Sequence, residues 1–273
     1  MIRRNALCVR ALNATIWTPQ VFYSKQRPSA PKKHHGILTM PHDEINIASV
    51  RTYSAADRVS MVTTSLEARP LKSGLRVSTF LEHRPAVLKA ADLKAVARAI
   101  VTARQLEKPV MVMLGGHVIK TGCAPVLAGL ADDGFITHFA SNGAAAIHDT
   151  ELARFGHTSE DVAEHLADGS FGMAADTALL VNNAARRAAE GIEGFGEAVG
   201  AMLHEEHAPY VHRALIARAH QLKIPYTLHV AVGTDIVHQH PTASGAAIGD
   251  ASLRDFRIFA STVSKLGDGG VVI

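Results

Sequence analysis

The sequence predicts an α/β protein, a Rossmann-like three-layer domain on a mainly parallel sheet. Three observations carry this. Val110 to Leu114 (VMVML) is a continuous apolar run, as a strand buried on both faces requires. Phe135 to Ala140 is a second such run, and Ala124 to Ala131 between them has apolar residues at helical spacing. Both runs end in small-residue turns, Gly115-Gly116 and Asn142-Gly143. Two buried strands joined by a helix form a βαβ unit, and such units build parallel sheets. Ligands of open α/β sheets lie beyond the carboxyl ends of the strands.

Composition bounds the function. The 273 residues are 47% apolar and 19% charged, as expected of a globular chain long enough to bury a core. Histidine is the outlier, with 16 residues. The formal charge of +3 is uneven. Residues 1–42 hold seven of the 28 Lys and Arg and no acid, which leaves 21 basic and 25 acidic side chains in residues 43–273, a net of −4. That balance gives no nucleic-acid footprint. No apolar run reaches the roughly 20 residues of a membrane helix, so no membrane partner is expected. Two cysteines, Cys8 and Cys123, form no disulfide framework, which points to a reducing compartment, the cytoplasm.

Element by element, residues 1–42 read as a disordered or non-native extension, with an organelle-targeting peptide as the alternative. Residues 43–273 read as one α/β domain. Residues 43–85 look irregular, and SGLRVSTFLEHRP reads as an arm. A helix follows from about Pro85 to Glu107, with Leu88, Leu93, Val96, Ile100 and Val101 on one stripe. Ile147 to Phe155 reads as a short helix ended by Gly156, and Thr158 with Asp161 has capping-box spacing. A long helical region from Ala174 is weakened by Gly191, Gly194, Gly196 and Gly200. Pro209 opens a helix to about Leu222. Ile224 to Val232 is a third strand, residues 233–249 a loop, and Leu253 to Leu266 a helix capped by Asp250 or Ser252. Val271-Val272-Ile273 begins a strand. The expectation there is a domain incomplete at its C-terminus, with a short edge strand as the alternative.

The candidate site gathers at the strand ends. Gly115, Gly116, His117 and Thr121 lie in the first turn, where glycine permits close backbone approach and a helix start favours anions. Ser141, Asn142 and Gly143 open the second turn, and His148-Asp149 sets a titratable pair nearby. Thr234-Asp235 and His238-x-His240 follow the third strand. The last pair is a possible metal set, since imidazole suits zinc and iron; hydrogen-bonded loop histidines are the alternative. His204-Glu205-Glu206-His207 lacks the HExxH spacing. Cys123 reads as core.

The order of the segments LGGHVIKTG (114–122), DGFITHFASNGAAAIHD (133–149), IPYTLHVAVGTDIVHQH (224–240) and GDGGVVI (267–273) resembles the deoxyhypusine synthase family. The resemblance covers roughly residues 105–273. It implies a fold that binds NAD, usually in a homotetramer. It also implies aminobutyl transfer from spermidine or a related amine to a protein lysine. By position it assigns cofactor contacts to Gly115, Gly116, His117, Thr121, Ser141, Asn142, Gly143, Thr234 and Asp235, and catalysis to His148, Asp149 and Asp235. Ile273 stands where that family has lysine, and the imine-forming lysine has no counterpart here. A nucleotide- or metal-binding protein without that activity, or a non-catalytic subunit, is the alternative.

Overall fold

Strand runs bracketed by glycine become a small parallel sheet. A computed structural model describes residues 42–273, and expectations for residues 1–41, Cys8 included, lie outside them. The chain falls into two units, residues 1–67 and 68–273. The described part of the first carries two short 3-10 turns, Ala55–Asp57 and Thr64–Leu66. The second holds four strands: β1 (Val110–Leu114), β2 (His138–Ser141), β3 (Tyr226–Leu228) and β4 (Val271–Val272). Their order is β3-β2-β1-β4, and every pairing is parallel. Leu114 pairs with Ser141, and Ser141 with Leu228, so three strands end at one level. The order in which strands are added reverses beside β1, as in doubly wound folds.

The same unit holds ten helices: α1 (Val77–His83), α2 (Leu88–Gln105), α3 (Gly116–Lys120), α4 (Ala124–Asp132), α5 (Gly143–Phe155), α6 (Val162–Leu166), α7 (Ala175–Glu190), α8 (Phe195–Glu205), α9 (Leu215–Leu222) and α10 (Gly245–Val263). Side chains of a strand alternate between faces. On β2, His138 meets α10 through Thr262 and Phe259, whereas Phe139 joins the main apolar cluster with Ala146, Val199 and Ile216. Helices therefore cover both faces, giving the Rossmann-like three-layer arrangement.

Local chemistry sets the helix ends. Asn142 caps α5 by accepting from the Ala145 N–H at 3.1 Å, and Gly156 ends it in the left-handed conformation, φ +73°. Ser244 caps α10, and Asp161 caps α6 through the Ala163 and Glu164 N–H groups. Asp255 on α10 is wholly buried and accepts from the N–H groups of Phe195, Gly196 and Leu228. It thus caps α8 and satisfies the outer edge of β3. Gly196 makes this possible, because a Cβ there would lie 2.0 Å from the Tyr226 carbonyl oxygen.

Several expected elements change. The arm contains α1, and the first glycine turn coils into α3. The small residues 143–146, expected as a ligand-facing turn, form the first turn of α5, because the Asn142 cap starts that helix early. Asp161 caps α6 without a reciprocal partner, and Val162, not Ser159, begins it. The glycines after residue 190 separate α7 from α8. Pro209 precedes a 3-10 turn, Val211–Arg213, rather than opening α9. The third strand keeps three residues of the nine expected. Helix α10 starts at Gly245, so Asp250 and Ser252 lie inside it. Cys123 is exposed rather than core. The stripe of α2 leaves Leu93, Val96 and Val101 exposed, and among its residues Ala103 alone is buried.

Candidate functional site

A cavity of about 670 Å³ opens near the carboxyl edge of the sheet. Its walls come from α5 (Ala144, Ile147, His148, Glu151), from Lys120 at the end of α3, from the 157–162 segment, from Phe171 to Thr177, and from Thr234, Asp235 and Ile236. Three carboxylates line it, Glu151, Glu160 and Asp235, against one lysine, Lys120.

Helix α5 supplies the centre. Residues three apart share a helix face, so His148 and Glu151 point the same way. Their side chains are 19% and 16% exposed. The Thr158 hydroxyl lies between them, 2.7 Å from His148 Nδ1 and donating to Glu151 Oε2. Thr177 donates to the other Glu151 oxygen at 3.2 Å. Burial lowers the pKa of His148; Glu151 opposes this, and Lys120 and His117 add to it. The Nδ1–Glu151 separation of 3.9 Å is therefore not an ion pair at neutral pH.

Asp235 closes the cavity from the loop after β3. It caps the 3-10 turn Ile236–Gln239, its side chain accepting from the His238 N–H. His238 Nδ1 accepts in return from the N–H groups of Asp235 and Gly233. Burial raises the Asp235 pKa, and His238 partly offsets this. A Cβ on Gly143 would stand 2.0 Å from Asp235 Oδ2, so glycine lets the carboxylate rest on the start of α5. A Cβ on Gly116 would likewise meet His148 Cδ2 at 2.9 Å. Glu160 accepts from the Gly172 N–H at 2.7 Å. Ser159 lines the cavity at φ +72°, a conformation unusual for serine.

The structure brings Gly116, Gly143, His148, Thr234 and Asp235 to one place. It sends Asp149 elsewhere. One step along α5 from His148, Asp149 is wholly buried in the core, where Oδ2 accepts from the Ile216 N–H at 2.8 Å at the start of α9. Burial pushes its pKa up to about 7, against the pull of the Ile216 and Leu215 N–H groups. Ser141 is buried, its hydroxyl on the Asn142 carbonyl, and Asn142 is spent on its cap. Thr121 bonds the His117 carbonyl at 2.8 Å, and neither residue lines the cavity. Gly115 lies near Asn142 Nδ2.

The histidines considered for metal have other partners. His240 is buried with Nε2 on the Gly172 carbonyl, and His238 is held in its capping box. His204 lies on the Ala217 carbonyl, Glu205 pairs with Arg187, and Glu206 with Arg154. Among the described residues, no group of three or more His, Cys, Asp or Glu is placed to hold a metal ion.

Lys120, Glu151, Thr158, Glu160 and Thr177 were missed from sequence. Glu151 was within reach, three residues after His148 on one helix. The others come from segments that only the fold assembles. His138 was also unflagged: buried in β2 between Thr262 and Thr227, it has its pKa lowered to about 4 by burial and by His229.

No protein-family model matches the chain, and no curated protein matches it. Solved structures similar to part of the chain include these two. One is ArgZ, an arginine dihydrolase from the ornithine–ammonia cycle in Cyanobacteria, in its apo form, 20% identical over 75% of this chain and 24% of that chain, with a TM-score of 0.41. The other is a conserved LOR/SDH protein from Methanococcus maripaludis S2, 19% identical over 65% of this chain and 49% of that chain, with a TM-score of 0.42. The chain spans about a quarter of the first and half of the second. Likeness at this level carries neither activity over.

These findings correct the deoxyhypusine synthase assignment. No family model supports it, and the two solved structures described are of other proteins. Aminobutyl transfer from spermidine, and with it hypusine formation, is withdrawn. The residues agree: Asp149, assigned to catalysis by that resemblance, caps α9 inside the core.

No helix among the described residues is long and apolar enough to cross a membrane.

Proposed function

We propose that the cavity beside α5 binds a small molecule carrying a protonated amine. The observation behind this reading is the convergence of Glu151, Glu160 and Asp235 on one cavity with Lys120 as the lone lysine in its wall. A cleft lined mainly by one sign of charge concentrates the opposite charge. The raised pKa of Asp235 fits as well, because a bound cation relieves a carboxylate held in a poorly solvated place. Affinity then rises with pH as Asp235 ionises.

The test is a thermal-shift and calorimetric panel of amines, amino acids, neutral analogues and carboxylates. Amines should raise the melting temperature by several degrees, and Asp235→Asn should weaken them about tenfold, roughly 1.4 kcal/mol. Equal binding of neutral or anionic compounds ends this reading.

A second reading is that NAD lies across the carboxyl edge. It is favoured by the strand order β3-β2-β1-β4, whose direction reverses beside β1 as in dinucleotide-binding sheets. Calorimetry with NAD decides it, and no heat at millimolar NAD removes it. We place the protein in the cytoplasm on its cysteine usage, and propose a homo-oligomer on the exposed stripe of α2. Fractionation and light scattering check these.

A further inference from the structure

We infer that His148 is a general base in this cavity, its tautomer fixed by a relay through Thr158 to Glu151. The inference rests on the reading that the cavity holds a small-molecule ligand, and extends it from binding to proton transfer.

Thr158 has one hydroxyl proton and two neighbours, His148 Nδ1 and Glu151 Oε2. A carboxylate only accepts hydrogen bonds, so the hydroxyl proton goes to Glu151. Thr158 must then accept from His148, which places the imidazole proton on Nδ1. In the neutral ring that leaves a lone pair on Nε2, and neutrality follows from the half-buried setting that lowers the pKa. Nε2 has no hydrogen-bond partner, and the residue lines the cavity. Thr177 secures the far oxygen of Glu151 at 3.2 Å, so the carboxylate cannot swing away. Gly116 leaves room for the ring edge at Cδ2. The result is a base oriented by a hydroxyl and a carboxylate, the general arrangement of an activated histidine.

The step balances simply. An X–H bond of the ligand breaks, with X carbon, nitrogen or oxygen, and its electron pair stays on X. A new N–H bond forms at Nε2, and the positive imidazolium faces Glu151 through Thr158. The other titratable groups facing this ring are Lys120 and His117, which disfavour the imidazolium. His157, Glu160 and Asp235 also line the cavity. The proton therefore leaves readily once the ligand has reacted. His148 is the catalytic residue of this proposal, and Thr158, Glu151 and Thr177 are positioning residues.

The test is nitrogen NMR of the full chain labelled on its histidines, with His148→Gln used to assign the ring signals. At pH 8, His148 should show a protonated Nδ1 and an unprotonated Nε2, the reverse of the tautomer preferred by free histidine. Thr158→Val should return the ring toward the Nε2–H form, and Thr158→Ser should restore the wild-type pattern. A wild-type ring protonated on Nε2, or one indifferent to Thr158→Val, overturns the inference. The amine panel above separates the two proposals. Amine binding with an Nε2–H ring would sink the relay alone, and an Nδ1–H ring with no amine bound would sink the ligand reading alone.

Discussion

His148 and Asp149 are neighbours in sequence and opposites in use. Successive residues of a helix point about 100° apart, so α5 turns the first toward a cavity and the second into the core. The core carboxylates, Asp149 and Asp255, accept backbone N–H groups at helix starts and at the edge of β3. The cavity carboxylates, Glu151, Glu160 and Asp235, stay partly open and take hydroxyl or single backbone donors. The contrast teaches where a polar group is scaffold and where it is chemistry. A buried carboxylate that bonds only backbone donors, as Asp149 does through Oδ2, is consumed by the fold. One that also faces a solvent-filled cavity keeps its charge available to a ligand.

The sharpest way to break this contrast is at Asp255. Asp255→Ala strips the acceptor from three buried N–H groups, and each orphaned donor costs about 1–3 kcal/mol. We expect a loss on the order of 4 kcal/mol in urea denaturation. A loss under about 1 kcal/mol would mean that α8 and β3 do not depend on it.

Asp149 gives an effect confined to higher pH, with a distinctive signature. Its folded pKa is raised to about 7 from 3.8. Its stabilising contribution is therefore complete below pH 3.8 and lost as pH rises through about 7. Asn keeps an acceptor for the Ile216 N–H and cannot ionise. The stability difference between Asp149→Asn and wild type should shift toward the variant between pH 4 and pH 8, by on the order of 4 kcal/mol. A difference flat with pH would place the ionisation elsewhere. Asp255, raised to about 6, adds to the same slope in both proteins.

The smallest effect on stability belongs to the cavity. Gly143→Ala drives a methyl against Asp235 and must displace its carboxylate. Stability should fall by about 1 kcal/mol or less, while amine affinity falls about tenfold. The reverse pattern, a large loss of stability with binding intact, would make Asp235 a core group like Asp149.

Much of the scaffold was legible in the chain itself. The run 110–114 announces β1 because both faces of a central strand need apolar side chains; the bounds of β1 match that reading, and Met113 alone in it is exposed. Asp132, Asp133 and Gly134 end α4 near the expected place. The Gly191–Gly194 break between α7 and α8 follows from the backbone freedom of glycine. Boundaries failed where one side chain outvoted the pattern. Asn142 and Ser244 start α5 and α10 early by capping them, and Asp255 fixes the short β3 from 27 residues away.

The sequence by itself determined the layer type, the order of most elements and the strand ends near which a site would form. Those depend on local periodicity and turn chemistry, which a linear reading contains. Tertiary structure alone decided that His148 keeps company with Thr158 and Asp235 while Asp149 is turned inward. Helical rotation and loop closure bring residues 120, 148, 158, 177 and 235 to one cavity, and no pattern along the chain encodes distances between segments that far apart.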